Sequence, residues 1–444
     1  MFLSLLILLT AVFPEKSFAC MTILVGKNAS ATGKVLVGHN EDAPGKFLIQ
    51  NHFVPEGHRK PGAKIKFEPY CAELELSENP KALFWTEAKT ISDNPSDSAF
   101  CDFFVNGSGV VICSNNCADS KEDQPELFSG GIGYGFRRLV AENAKSAENA
   151  LEIACDLIEK YGYASSGRSY AFADKDEIFV MQIVNGKHYA VAKVPDDEAA
   201  VIPNHYTIQK SEKNFEDLIL YAKKREWYRD EDGDFDFAKV YQSKETFGLE
   251  KNTYRHVKAF EILLEKNLSE ILKNEWKSLP FSIKPAHKVE IETMKKILRS
   301  HNDEKPEHFD KPIGICNCDT LESIIVEINP DPKKIILRQA LGHACISPYL
   351  VLCPENFEYE KFEESEKALR EHFNTKPEEL EYKNNAWFKT LEIQKRCRSV
   401  HDENTKILQE KIKIFEKDLE QRVKISVEHA VKFCADEAGK FFSV

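Results

Sequence analysis

Two short runs rich in β-branched residues, Thr22 to Val25 and Lys34 to Gly38, flank a loop of Asn, Ala, Ser and Gly. This pattern predicts an antiparallel hairpin, and a hairpin leaves little freedom because pairing across it decides which side chain stands opposite which. With the loop at Lys27 to Lys34, paired residues have numbers summing to about 61, so Cys20 falls opposite Glu41 or Asp42. A thiol is expected to face a carboxylate at the open end of the first two strands.

The residues ahead of Cys20 sharpen that expectation. Phe2 to Phe13 is an apolar run too short to span a bilayer, and Ser17-Phe18-Ala19 places small residues where a signal peptidase requires them. No Lys or Arg precedes the run, and a buried first helix is the competing reading. Residues 1–19 are read as a signal peptide cut after Ala19, and the chain as exported: secreted, periplasmic or lysosomal. No later window holds eighteen consecutive apolar residues, so no stable membrane span is expected. A net charge of −12 argues against nucleic acid as a partner.

If the bond before Cys20 is cut, the thiol gains a neighbour that an internal cysteine lacks. The new α-amino group has a reference pKa of about 7.7–8.0, so much of it is neutral near pH 7 and can take the thiol proton. An uncut Cys20 has only an amide nitrogen there, which is no base.

The other cysteines offer no second chemistry. Setting Cys20 aside leaves eleven of the twelve, an odd number. Cys113 and Cys117 have no matching second pair, and Cys316-Asn317-Cys318 is too tight for an ordinary zinc pair. No metal and no cofactor are expected, and sequence alone leaves any disulfide connectivity open.

Farther along, Val110 to Ser114 reads as a strand, Ile132 to Asn143 and Ala147 to Tyr161 as helices, the second closed by Gly162. Strands follow at Ser169 to Ala173, Glu177 to Val184 and His188 to Val194, with a turn at Pro195 to Asp197. Phe215 to Lys305 reads as mostly helical. It is interrupted by RDEDGDFDF from Arg229, whose Gly233 is misplaced for a calcium loop and which therefore reads as a solvated turn. Strands return at Ser323 to Ile328 and Lys334 to Arg338. From Pro354 to Val444 the chain is rich in Glu and Lys at helical spacing, a helical extension for packing or homo-oligomerisation.

The segments CMTILVG and GHNED, with NGSGVVICSNN (Asn106 to Asn116), SYAFAD, VPDDEAAVIPNHYTI (Val194 to Ile208), MKKILRSHND (Met294 to Asp303) and TLESIIVEINPDP (Thr320 to Pro332), occur in one order. Together they resemble the cysteine dipeptidases of the N-terminal-nucleophile superfamily, the dipeptidase A family with its secernin relatives, over nearly all of Cys20 to Cys353. The resemblance implies an α+β fold, a four-layer αββα sandwich of two antiparallel sheets. A hydrolase domain at 20–353 and a C-terminal helical extension at 354–444 packed on it follow from the same likeness. It implies hydrolysis of dipeptides or short peptides, with Cys20 as nucleophile, its own amine as base and Asp42 holding that amine. Asn204 would support the nucleophile and the oxyanion, Asn116 would be a second oxyanion donor, and Asn115 could serve in its place near the substrate.

At one position the chain departs from the family. Where relatives carry Arg three residues before the aspartate, this chain has His39, a titrating group in place of a fixed cation, expected beside the substrate and the thiol with a raised pKa, the competing reading being a ring that points into the sheet and only packs. Taken without the likeness, Asn204 is a turn residue, Arg299 a salt-bridging residue and His301 a helix-end residue. Two other functions compete: an N-acyl amide hydrolase of the bile-salt or penicillin acylase type, and a non-catalytic binding protein lipid-anchored through Cys20. The two fates of Cys20 exclude each other, since a thioether-linked lipid would consume the nucleophile.

Overall fold

The computed structural model describes residues 20–44, 47–95, 98–117, 120–246, 248–268, 279–301, 314–376, 390 and 403–441. The expected signal segment, residues 1–19, and the end of the MKKILRSHND stretch lie outside the described residues. Among the described residues no helix is long and apolar enough to cross a membrane.

Sixteen strands are described: β1 (Met21–Val25), β2 (Leu36–Asp42), β3 (Phe47–Val54), β4 (Lys64–Ile65), β5 (Leu74–Glu75), β6 (Leu83–Thr90), β7 (Ala99–Asn106), β8 (Val111–Asn116), β9 (Tyr163–Ala173), β10 (Ile178–Gly186), β11 (Tyr189–Lys193), β12 (Ala199–Ile202), β13 (Ser282–Ile283), β14 (Thr320–Glu327), β15 (Ile336–Leu341) and β16 (Leu350–Leu352). The helices are α1 (Gly135–Asn143), α2 (Ala147–Tyr161), α3 (Phe215–Lys224), α4 (Phe237–Tyr241), α5 (Glu250–Leu264), α6 (Ile291–Leu298), α7 (Phe362–Glu371), α8 (Glu403–Ile425) and α9 (Val427–Phe441).

The strands form two antiparallel seven-stranded sheets, ordered β13-β12-β1-β2-β14-β15-β16 and β11-β10-β9-β8-β7-β6-β3, with β4 and β5 as a separate ribbon. The sheets stack through β1 on β8 and β2 on β7. Helices α5 and α6 cover the outer face of the first sheet, α1 and α2 that of the second. This is the expected α+β sandwich of four layers, αββα.

Both faces of the central strands are buried, and the alternation along each strand shows it. Leu24 and Val37 point between the sheets with Phe103, Val111 and Val180. Their neighbours Ile23 and Leu36 point outward, onto Phe260, Met294 and Leu298. On the second sheet Phe104, Ile112 and Phe172 point out onto Phe136, Val140 and Ile158. Each such side chain contributes ~1.5–3 kcal/mol of burial. At Gly38 a Cβ would stand 2.7 Å from Met294 Cε, so the missing side chain is what lets α6 lie on the hairpin.

Local signals behave as the sequence indicates. Ser146 caps α2 by accepting the Asn149 amide at 3.1 Å, and Gly162 ends it with φ 71°, where a Cβ would strike the Glu126 carbonyl at 2.1 Å. The RDEDGDFDF run forms a short exposed 3-10 turn at Asp230–Asp232. Helices α8 and α9 pack Phe415, Leu419, Ala430 and Cys434 onto Ile336 and Val351 of the first sheet. Glu416 and Glu420 of α8 pair with Arg299 at 2.6 Å and Arg338 at 2.8 Å. The ten described cysteines outside β7 carry thiols and form no disulfide with one another.

Candidate active site

The hairpin register pairs Met21 with Asn40 and Thr22 with His39, so the residue numbers sum to 61 as the loop length predicts. Cys20 has no exposed surface, and its Sγ lies 3.6 Å from the Asp42 carbonyl, to which the thiol donates. Sγ, a ring nitrogen of His39 and a carboxylate oxygen of Glu41 lie within 4.8 Å of one another. Burial pushes the Cys20 thiol well above its usual range, and the charges of Glu41 and Asp42 push the same way; Arg168 opposes them. A thiol held in that state needs a base beside it before it can attack.

Both carboxylates are buried. Burial lifts Glu41 to about 7 against the pull of Arg137 and Arg168. It lifts Asp42 to about 7 against the Thr320 hydroxyl, the charge of Arg255 and the Asn317 amide. Asn317 donates to Asp42 Oδ2 at 2.8 Å, and Arg255 stands 4.0 Å from the same oxygen. Asp42 Oδ1 is buried with no hydrogen-bond partner among the described residues. An unfilled acceptor of this kind costs about 1–3 kcal/mol and marks a place for a donor.

Asn204 follows β12 and is buried. Its Nδ2 donates to the Asn116 carbonyl at 2.5 Å and its Oδ1 accepts from Arg255 at 2.7 Å. Arg255 also donates to Asn252 Oδ1 at 2.7 Å and to the Cys20 carbonyl at 3.3 Å, while Asn252 donates to the Asn204 carbonyl at 2.9 Å. One buried guanidinium thus joins the cysteine and the asparagine expected to serve it. Since Oδ1 is held by Arg255, Nδ2 is oriented as a donor, with a second hydrogen beyond the one given to Asn116.

Two expected residues turn out otherwise placed. Asn115 donates to the Ile202 carbonyl at 3.1 Å and accepts from Thr22 at 2.5 Å, so its amide ties the two sheets together instead of facing a substrate. His39 is fully buried, with Nδ1 2.8 Å from Thr22 Oγ1 and Nε2 3.4 Å from Glu41. Burial, aided by Arg137 and Arg168, pulls its pKa down to about 3, opposite to the rise expected from a neighbouring carboxylate. His39 is therefore neutral near pH 7. Fixed positive charge reaches the thiol instead from Arg168 on β9 and Arg255 on α5, and Arg137 on α1 acts on the neighbouring Glu41 and His39.

Those three arginines, with Asn252 and Asn317, escaped the sequence reading. For Arg255 a signal existed: Asn252, Arg255 and His256 lie on the same helical stripe as the buried Ala259, Phe260 and Leu263. A charged residue on an apolar stripe needs buried partners. For Arg168, which donates to Ser114 at 3.1 Å, and for Asn317, only the folded chain reveals the neighbour.

The model of peptidase family C69 matches residues 19–314. A probable dipeptidase of Latilactobacillus sakei is 25% identical over 306 residues, 64% of this chain and 61% of that protein. Probable dipeptidase B of Streptococcus pyogenes serotype M1 is 32% identical over 152 residues, 33% of this chain and 30% of its own length. Probable dipeptidase A of Streptococcus pyogenes serotype M18 is 24% identical over 360 residues, 76% and 74% of the two chains. The chain thus spans less than two thirds of the first two relatives. Among solved structures, a variant of the conjugated bile acid hydrolase from Clostridium perfringens aligns over 72% of this chain and 89% of its own at 14% identity, with a TM-score of 0.40.

Proposed function

The chain belongs to peptidase family C69, and from that premise we propose that it is an exported cysteine peptidase that hydrolyses dipeptides or short peptides through Cys20, exposed as the first residue by cleavage after Ala19. The observation that carries this reading is the unfilled Asp42 Oδ1, on the residue whose backbone carbonyl accepts from the Cys20 thiol, a thiol that has lost acidity through burial. A freed Cys20 ammonium would donate to Asp42 in its charged form, and in its neutral form it is a base covalently tethered beside the thiol. The amine takes the Sγ proton, Sγ bonds to the substrate carbonyl carbon, and the carbonyl electron pair moves onto oxygen. Asn204 Nδ2, with Asn116 as second donor, holds that oxyanion, each donor contributing ~2.7–4 kcal/mol in a dry site. The resulting ammonium gives its proton to the departing amine, and water then releases the acyl group from Sγ. In this reading residues 20–353 are the hydrolase unit, and the described helices α7, α8 and α9 pack on it.

The test is the mass of the mature N-terminus together with turnover on a dipeptide panel. A chain beginning at Cys20 should hydrolyse dipeptides, and one retaining Ala19, verified by mass, should not. Full turnover by the chain retaining Ala19 would transfer the base role to Glu41, the carboxylate already near Sγ. A lipid mass on Cys20 would refute the enzymatic reading.

A further inference from the structure

Cys316 and Cys318 are too close in sequence to share a zinc ion, but folding gives Cys316 different partners. It follows the turn after Gly314, beside His301 just beyond α6 and Cys345 in the 3-10 turn Ala344–Ile346. Ligand atoms of the three side chains lie within 4.8 Å of one another. Among the described residues just one other group of three His, Cys, Asp or Glu side chains is so arranged, and it is the Cys20 site. Cys316 has no exposed surface, Cys345 is 6% exposed, and His301 is half-buried.

The histidine has the tautomer that a metal requires. His301 Nδ1 is 3.1 Å from the Cys316 carbonyl oxygen, which can only accept, so Nδ1 carries the proton and Nε2 presents its lone pair. A backbone carbonyl on the far nitrogen is the usual support of a metal-ligating imidazole. Arg299 steadies the third ligand, donating to the Ala344 carbonyl at 2.8 Å and the Ser347 carbonyl at 3.0 Å on either side of Cys345. A cavity of about 750 Å³, lined in part by His301, Cys345, Gln409 and Glu416, opens beside the group and gives an ion a way in.

We propose that Cys316, Cys345 and His301 form a zinc site, binding one Zn²⁺ through two thiolates and Nε2, with the fourth position turned to the cavity. Two sulfurs and an imidazole suit a borderline-soft ion and exclude Ca²⁺ and Mg²⁺. With Zn–S near 2.3 Å and Zn–N near 2.0–2.1 Å, tetrahedral geometry places the sulfurs ~3.8 Å apart, so the group closes by about 1 Å at most. Binding releases two thiol protons to solvent, and two thiolates balance the charge of the ion. Because Asn317, which donates to Asp42, adjoins Cys316, the ion would anchor the backbone that carries it.

The experiment counts metal and does not depend on turnover. The full chain carrying Cys20→Ala, which removes a ligand of the competing group, is reduced, loaded with Zn²⁺, desalted and analysed for bound metal; a parallel sample is loaded with Co²⁺ for absorption. One ion per chain and a thiolate-to-cobalt charge-transfer band are expected, and both should vanish on adding Cys316→Ser or Cys345→Ser. His301→Gln should weaken Zn²⁺ binding by ~10-fold or more. The proposal is overturned by metal at background level, by an ion retained in either serine variant, or by thiols recovered as a disulfide that takes no metal. Should the serine variants lose their unfolding transition, His301→Gln decides: unchanged Zn²⁺ affinity overturns the site.

Discussion

Replacing Asp42 by asparagine should stabilise the chain while Ala19 is still attached and destabilise it once Cys20 carries a free amine. Asp42 has no exposed surface, and burial holds its carboxyl at about 7. The difference from the usual ~3.9 corresponds to about 4 kcal/mol. An acid whose pKa rises on folding keeps its proton more tightly in the folded state. Its favourable contribution is complete below ~3.9 and is lost as pH rises through about 7. An amide at this position cannot ionise, so the stability of Asp42→Asn relative to the native chain should climb by ~3–4 kcal/mol between about pH 4 and about pH 8. After cleavage the ammonium pairs with Asp42, and breaking a buried pair from one side costs about 3–5 kcal/mol, so the sign of the substitution reverses near neutrality. Urea denaturation of the four proteins, native and Asp42→Asn, each with and without Ala19, measures both effects. A pH-independent difference in the uncut pair would refute the buried-carboxylate reasoning, and the same sign before and after cleavage would refute the ammonium–Asp42 pairing.

Cys20→Ala should abolish hydrolysis with the fold intact, because the Sγ hydrogen bond to the Asp42 carbonyl is long, 3.6 Å; turnover at native rates in a dipeptide assay would reassign the nucleophile. Asn204→Ala should lower kcat by ~10²–10³-fold with little change in KM, the signature of an oxyanion donor, while an equal rise in KM with kcat unchanged would make Asn204 a ground-state contact. His39→Gln should leave the alkaline limb of kcat/KM in place, since the imidazole titrates at about 3. It should also remove a destabilisation: a histidine whose pKa falls on folding costs stability as pH drops from ~6.5 toward 3. An alkaline limb that moves with this substitution would show that His39 is charged in the working enzyme.

The hairpin was legible in the sequence because its information is local. The loop composition, the β-branched runs and the parity of the pairing suffice to place Cys20 opposite the Glu41–Asp42 carboxylates, and the pairing of Met21 with Asn40 agrees. Helix α2 was legible for the same reason, with Ser146 and Gly162 marking its two ends. Strands β3, β6 and β7 were not. In a four-layer sandwich both faces of an inner strand meet apolar neighbours, so Leu83–Thr90 is almost wholly buried and shows no clean alternation of polar and apolar residues.

What the chain's own order determined was the placing of Cys20, the proposed nucleophile, beside the Glu41 and Asp42 carboxylates. Its charge environment was decided by tertiary structure alone. Arg255 reaches the Cys20 carbonyl across a separation of 235 residues, and Asn317 reaches Asp42 across 275. His39 shows the physical reason most directly. A sequence gives its neighbours along the strand, Glu41 and Asp42, which favour the imidazolium; the fold adds complete burial and two arginines from the other sheet's layers, which favour the neutral ring. A pKa responds to everything within a few ångströms and to the water that is absent, and both are properties of packing.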